Sequence, residues 1–275
     1  MKERGKILQK IQDPNRNSFF LIAGPCVVES KEMIFQVADT LKGLTSSLGI
    51  PFIFKSSYKK ANRSSVNSFT GIGDEKALKA LAEVREQLDV PIITDVHSPE
   101  EAVMAAEYVD ILQIPAFLCR QTELLRGAAY TGRMINVKKG QFLSPEAMKF
   151  AAEKILDSGN SKILLTERGV TFGYHELIVD MRSIVIMKDL GYPVILDCTH
   201  ANQQPNQPAG KTGGRPEFVE LLAKSGIAAG ADGLFIETHP QPEMALSDAA
   251  NMLPLSQMEN LLRRCKKIFS AVHDD

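Results

Sequence analysis

A closed barrel of eight parallel strands, each followed by a helix, is the fold this sequence predicts. Two observations carry that expectation. Short β-branched apolar runs alternate with amphipathic stretches, and they do so eight times; parallel strands need such crossovers. The chain has 275 residues, and a (β/α)8 barrel takes about 250, so eight units at this length favour closure over an open doubly wound sheet. The composition agrees: 44% hydrophobic and 24% charged, with 19 Gly and 14 Pro, is globular and excludes long disorder, collagen and coiled coil.

The strands are expected at Phe19–Cys26, Pro51–Ser57, Pro91–Val96, Ile111–Pro115, Met134–Lys138, Lys162–Glu167, Pro193–Thr199 and Gly233–Thr238. They are short, continuous and mostly apolar, as strands buried on both faces are. Three open with Pro, where no essential ladder bond is lost. Helices are expected over Glu32–Leu48, over Lys76–Leu88 with Leu78, Leu81, Val84 and Leu88 on one face, and from the Ser144-Pro145-Glu146 start to the Asp157-Ser158-Gly159 stop. Others follow over Leu177–Leu190, Pro216–Ala223 and Leu255–Val272. Residues 1–18 are polar and read as an N-terminal extension, a hairpin or a cap under the barrel; residues 19–275 form the barrel domain. Two connections, Ala201–Arg215 and His239–Pro254, are longer than usual. Both leave the C-terminal ends of strands, where barrel active sites sit.

The net charge is −1 and the pI about 6.5, so no global basic field attracts nucleic acid. The longest apolar run, Phe19 to Val28, is too short for a membrane span and is broken by Gly24-Pro25. Glu3 and Asp13, with no small-residue cleavage site after the run, argue against a secretory leader. Cys26, Cys119, Cys198 and Cys265 have no CxxC or disulfide-like spacing, which points to the cytoplasm. No GxGxxG opens a helix after the first strand, and there is no P-loop and no Gly-x-Ser-x-Gly elbow.

In a closed barrel the strand ends ring one pocket. Strand by strand they offer Cys26; Lys55, Ser56 and Ser57; Asp95 and His97; Gln113; Asn136 and Lys138; Glu167 and Arg168; Asp197 and His200; Glu237 and His239. So many polar groups suit a polar, charged substrate rather than a core. Lys55, Lys138 and Arg168, with Lys60 and Arg63 in the loop after the second strand, converge on one mouth. Five cations suit at least two anionic groups, and phosphates fit best. Cys26, His200 and Glu237 end strands that closure makes neighbours, and the long loop after the last strand brings Asp248. A thiolate, an imidazole and carboxylates suit Zn²⁺, Fe²⁺ or a similar divalent ion. Taken singly, a cysteine such as Cys26 is more often a buried apolar-like residue than a ligand, and a histidine such as His200 more often a packed or hydrogen-bonded one.

These residues sit in longer motifs: Ile22-Ala23-Gly24-Pro25-Cys26 with Glu29-Ser30, Lys55 to Ser65, Thr94-Asp95-Val96-His97, and Gln113 to Gln121. Asn136 to Gln141, Glu167 to Tyr174, Val179 to Ser183, Asp197-Cys198-Thr199-His200 and Phe235 to Pro240 complete them. Through them the chain resembles, along nearly its whole length, the 3-deoxy-D-manno-octulosonate 8-phosphate synthase family. That family condenses phosphoenolpyruvate with arabinose 5-phosphate. The related 3-deoxy-D-arabino-heptulosonate 7-phosphate synthases use erythrose 4-phosphate and carry Lys-Pro-Arg-Thr-Ser-Pro where this chain has Lys60-Ala61-Asn62-Arg63-Ser64-Ser65.

The resemblance implies a TIM barrel and a set of roles. Lys60, Lys138 and Arg168 would hold phosphoenolpyruvate, with Lys55 and Ser57 nearby. Asn62, Arg63 and Ser64 would bind arabinose 5-phosphate, Asp95 would contact its hydroxyls, and Gln113 and Phe117 would line the pocket. Arg120 would come across a subunit interface of a homotetramer. Lys60, Lys138, His200 and Asp248 would be the catalytic groups. The family divides into members with cysteine and members with asparagine at position 26. Cys26 and the segment Leu246–Leu253 resemble the metal-dependent class, which implies Cys26, His200, Glu237 and Asp248 as ligands of Zn, Fe or Mn. After His200 the chain departs from the family's usual Ser-x-Gln and Gly-rich stretch.

Overall fold

The structure is a computed structural model; it describes residues 2–62, 69–173, 176–207 and 211–273. Eight parallel strands close on themselves: β1 (Phe20–Gly24), β2 (Phe52–Lys55), β3 (Ile92–Asp95), β4 (Ile111–Ile114), β5 (Met134–Lys138), β6 (Ile163–Glu167), β9 (Val194–Asp197) and β12 (Gly233–His239). They pair in that order, and β12 returns to β1 with Phe20 opposite Gly233 and Gly24 opposite Glu237. All eight fall where the apolar runs predict them. β7 (Val170–Phe172) and β8 (Glu176–Ile178) form a hairpin, as do β10 (Gln203–Gln207) and β11 (Lys211–Gly214). β13 (Leu253–Pro254) pairs in parallel with the end of β12, Thr238 opposite Leu253.

Two residues on, the inward face changes character. Ile53, Ile93, Ile111, Met134, Leu164, Ile195 and Phe235 fill the barrel interior with Phe20 and Ile22. One inward step further, toward the C-terminal ends of the strands, come Lys55, Asp95, Gln113, Asn136, Thr166, Asp197 and Glu237. A period of two on each strand thus gives an apolar plug below and a charged layer above. The outward residues, such as Leu21, Phe52, Leu112 and Val137, pack under the helices in a separate and larger core.

The helices are α1 (Glu3–Lys10), α2 (Lys31–Leu48), α3 (Asp74–Leu88), α4 (Pro99–Ala106), α5 (Thr122–Tyr130), α6 (Met148–Asp157), α7 (Arg182–Lys188), α8 (Val219–Ala228) and α9 (Met258–His273). Ser30 caps α2 by accepting from the Met33 amide at 3.1 Å, and Gly49, left-handed at φ 67°, ends it. After α1, Ile11 is buried and joins the interior plug with Ile7 and Leu8 packed against it. α4 and α5 carry no expectation from the sequence, although Ser98 caps α4 with Pro99 at its first position.

Four expected helices start later than their patterns: Pro216–Phe218 and Leu255–Gln257 are 3₁₀ turns ahead of α8 and α9, and two others begin further on. Leu177 and Ile178 lie on β8, and the helix begins at Arg182 because the Asp180 carboxylate accepts its amide at 3.0 Å. The apolar spacing of Leu177–Leu190 does not separate a three-residue strand from a helical turn. The segment from Ser144 runs as successive three-residue turns before α6, with Ala147 N–H donating to the Ser144 carbonyl.

Candidate active site

A pocket of about 630 Å³, counting the open solvent at its mouth, lies at the C-terminal ends of the strands. Gly24 permits its floor. A Cβ there would stand 2.0 Å from the Lys55 carbonyl oxygen, so only glycine lets β1 run this close to β2. Beyond it Ser57 N–H donates to the Cys26 carbonyl at 3.1 Å, which sets the Cys26 and Ser57 side chains at the rim of one wall.

The cations are paired. Lys55 Nζ donates to Glu237 Oε1 at 2.6 Å and to the Cys26 carbonyl at 2.9 Å, and it is buried. Burial works against its charge, but Glu237, Cys26 and Asp95 outweigh it and hold the ammonium above its usual range. Lys60 Nζ donates to Asp248 Oδ2 and approaches Cys26 Sγ at 3.2 Å. Lys138 Nζ donates to Asp197 Oδ2 at 2.7 Å and sits 3.8 Å over the Phe235 ring. Arg168 differs: its Nη2 donates to the His200 carbonyl and to Gln203, while Nη1 is buried with no hydrogen-bond partner among the described residues.

The expected metal ligands meet in part. Ligand atoms of Cys26, Glu237 and Asp248 all lie within 4.8 Å of one another. His200 stands outside this trio, its Nε2 3.6 Å from Glu237 Oε1. Its Nδ1 lies 2.8 Å from Asp197 Oδ2, and this carboxylate contact turns Nε2 toward Glu237. Glu237 Oε2 is buried and has no hydrogen-bond partner among the described residues. Burial, then Glu237, push the Cys26 thiol up to about 12. The Asp248 carboxyl is held well below its usual range; burial opposes this, and Lys60 and His200 overcome it. A sulfur, two carboxylates with one free oxygen, and a histidine with an oriented nitrogen make a donor set that fits a divalent ion.

Opposite this cluster, Asp95 accepts from Ser57 Oγ and from Gln113 Nε2, the latter at 2.7 Å. Burial raises its pKa, but Lys55 and Lys138 more than offset this, so the carboxyl stays below its usual range. Asn62 and Phe117 line the cavity. Gln113 stands behind Asp95, 1% exposed, and is not on the wall. Arg120 is exposed and also away from the cavity. Arg63 and Ser64 lie outside the described residues.

Asp197 is the partner of both Lys138 and His200, and in the sequence only its three-residue spacing from His200 marks it. Nothing in the sequence pattern marks Lys139. This lysine is fully buried, 3.3 Å from Glu167 Oε1, and points away from Lys138 because neighbouring strand residues face opposite sides.

The sequence model of the DAHP synthetase I family matches residues 5–274. A protein of Trichlorobacter lovleyi named 2-dehydro-3-deoxyphosphooctonate aldolase is 49% identical over 252 residues, 92% of this chain and 93% of its own length. One of the same name from Brucella anthropi is 52% identical over 250 residues, 91% of this chain and 90% of its own. Another from Brucella ovis is 52% identical over 244 residues, covering 89% and 88%. About half the positions agree along almost the full length, and the chain therefore belongs to the DAHP synthetase I family, among its 2-dehydro-3-deoxyphosphooctonate aldolases.

Proposed function

We propose that this protein condenses phosphoenolpyruvate with D-arabinose 5-phosphate and water, giving 3-deoxy-D-manno-octulosonate 8-phosphate and inorganic phosphate, a precursor of lipopolysaccharide. The observation that carries the reading is one cavity in which Lys55, Lys60, Lys138 and Arg168 meet the Cys26–Glu237–Asp248 cluster. The name shared by relatives of about half-identical sequence supports the five-carbon sugar.

Lys60, Lys138 and Arg168 hold the carboxylate and phosphate of phosphoenolpyruvate, with Lys55 and Ser57 beside them. The unpartnered Nη1 of Arg168 supports this. Asn62, Arg63 and Ser64 take arabinose 5-phosphate, the last two at its phosphate, and Asp95 accepts from its hydroxyls. Phe117 covers the pocket, Gln113 backs Asp95, and Arg120 reaches the site of a neighbouring subunit in a cytoplasmic homotetramer. Carbon 3 of phosphoenolpyruvate attacks the sugar aldehyde, and positive charge develops at carbon 2. Water adds there, and the hemiketal phosphate loses phosphate by C–O cleavage. Buried cations place two anions side by side and stabilise the charge in a water-poor site. A divalent ion of the Zn, Fe or Mn kind, held by Cys26, Glu237, Asp248 and His200, would polarise the aldehyde or activate the water.

The test is phosphoenolpyruvate consumption by the purified protein with arabinose 5-phosphate or erythrose 4-phosphate, each with and without EDTA. Consumption with the five-carbon sugar, lost in EDTA and restored by divalent metal, is expected. Turnover that survives exhaustive chelation removes the metal from the reading. Preference for erythrose 4-phosphate moves the chain to the heptulosonate reaction.

A further inference from the structure

One wall of the barrel carries a line of hydrogen bonds that runs behind the cavity. Thr166 Oγ1 on β6 donates to Asn136 Oδ1 on β5 at 2.7 Å. Asn136 Nδ2 donates to Gln113 Oε1 on β4 at 2.8 Å, and Gln113 Nε2 donates to Asp95 Oδ1 on β3 at 2.7 Å. Ser57 Oγ, just past β2, donates to the other Asp95 oxygen. Thr166 and Asn136 are fully buried and do not reach the cavity; Asp95 does.

The line has a direction, and Asp95 sets it. An ionised carboxylate only accepts, so Gln113 must turn its amide nitrogen toward Asp95. That leaves Gln113 Oε1 facing β5, where only the Asn136 amide nitrogen satisfies it. Asn136 Oδ1 then needs a donor, and the Thr166 hydroxyl is the one it has. Reversing either amide would put acceptor against acceptor or donor against donor in a buried layer, which costs the full desolvation of those groups.

We propose that Asn136 and Thr166 are positioning residues for the sugar end of the site: they lock Gln113 in the one orientation that donates to Asp95, and so hold the Asp95 carboxylate aimed at the substrate hydroxyls. The inference rests on the reading of Asp95 as the group that meets the sugar.

Four variants test it through separate Michaelis constants for the two substrates. Asp95→Asn tests the underlying reading, and it should raise KM for arabinose 5-phosphate. Thr166→Val keeps the volume and removes the donor; it should raise the same KM by up to about tenfold, the upper end of what one lost neutral hydrogen bond costs. Thr166→Ser, which keeps the hydroxyl, should stay within about twofold of the wild type, a change below half a kcal/mol in this arithmetic. Asn136→Asp is acceptor-only and turns the Gln113 amide round, so its effect should exceed that of Thr166→Val. KM for phosphoenolpyruvate should hold in Thr166→Val. If Asp95→Asn leaves the sugar KM unchanged, the reading of Asp95 fails. If Asp95→Asn raises it while Thr166→Val does not, the positioning role is overturned; equal effects of Val and Ser at 166 overturn it too. Should Asn136→Asp not fold, the Val and Ser pair decides alone.

Discussion

Replacing Lys139 by Met should destabilise this protein more than removing any exposed charge. The Lys139 side chain is 0% exposed and that of Glu167 2%, and Nζ lies 3.3 Å from Glu167 Oε1. Lys139 also donates to the Leu143 carbonyl at 3.2 Å. Methionine fills nearly the same volume, so the loss is electrostatic. It leaves Glu167 buried with no ion-pair partner within 4 Å among the described residues, supported by the amides of Arg168 at 2.9 Å and Gly169 at 2.6 Å, while Oε2 has no partner among them. Breaking one side of a buried pair costs about 3–5 kcal/mol. In a chain of this size each kcal/mol moves the melting temperature by roughly 2–4 °C, so the variant should melt roughly 6–20 °C lower. Adding Glu167→Gln should recover most of this, because glutamine is neutral and its carbonyl still accepts both amides. Denaturant unfolding of the wild type, both single variants and the double variant measures the coupling. A Lys139→Met protein within about 1 kcal/mol of the wild type would refute the reasoning, since that is the range of an exposed pair. So would a double variant no more stable than Lys139→Met.

Three further outcomes follow from other parts of the site. Cys26→Asn should retain at least about tenfold less divalent metal after dialysis, the least that loss of even an outer partner costs; unchanged bound metal by elemental analysis would remove Cys26 from the ligand set. Gly214→Ala should lift the β10–β11 hairpin off the loop after β12, because its Cβ would fall 1.6 Å from Asn251 Oδ1; faster proteolysis within residues 203–214 is the readout, and an unchanged cleavage rate would count against the contact. The third concerns acid. Burial opposes ionisation of Glu101, yet Lys59, Tyr58 and His97 hold its carboxyl at about 2, below the ordinary 4.5. A depressed acid stabilises the fold above its unfolded pKa and loses that contribution as pH falls through the folded one. Glu101→Gln should therefore flatten the loss of stability between about pH 4.5 and pH 2, as followed by thermal unfolding.

The barrel was legible because closure leaves every strand buried on both faces, and a continuous apolar run such as Ile163–Leu165 has few other homes. The i, i+2 step from Ile93 to Asp95 or from Ile195 to Asp197 could also be read, once the strands were placed. What the sequence could not supply was the partner of each charge. Lys138 and Lys139 are adjacent and chemically equal, yet one faces Asp197 and the other Glu167. Strand parity decides this, and it is fixed only when the pairing register is known. The small hairpins were missed for a different reason. Val170–Phe172 and Glu176–Ile178 are too short to show a period, and only their mutual pairing makes them strands.

Pairing also changes how the cations should be counted. Five basic residues around one mouth suggest a strongly positive site, but Lys55, Lys60 and Lys138 each hold a carboxylate: Glu237, Asp248 and Asp197. The oxygens of Glu237 and Asp248 that those lysines occupy belong to the same trio that suits a divalent ion. On the proposed function a lysine ammonium and a divalent ion would compete for Asp248, while the phosphoenolpyruvate anion would draw the same ammonium. Competition of this kind links the two ligands: whichever cation holds Asp248 determines whether Lys60 is available. Lys60→Met should therefore act with opposite signs on two affinities. Phosphoenolpyruvate should bind more weakly by at least about tenfold, the value of one charged hydrogen bond. Zn²⁺ or Mn²⁺ should be retained more strongly in equilibrium dialysis, because Asp248 loses its internal counter-ion. A variant that loses both ligands together would mean that Lys60 supports the metal cluster rather than competing with it, and the exchange of partners at Asp248 would have to be abandoned.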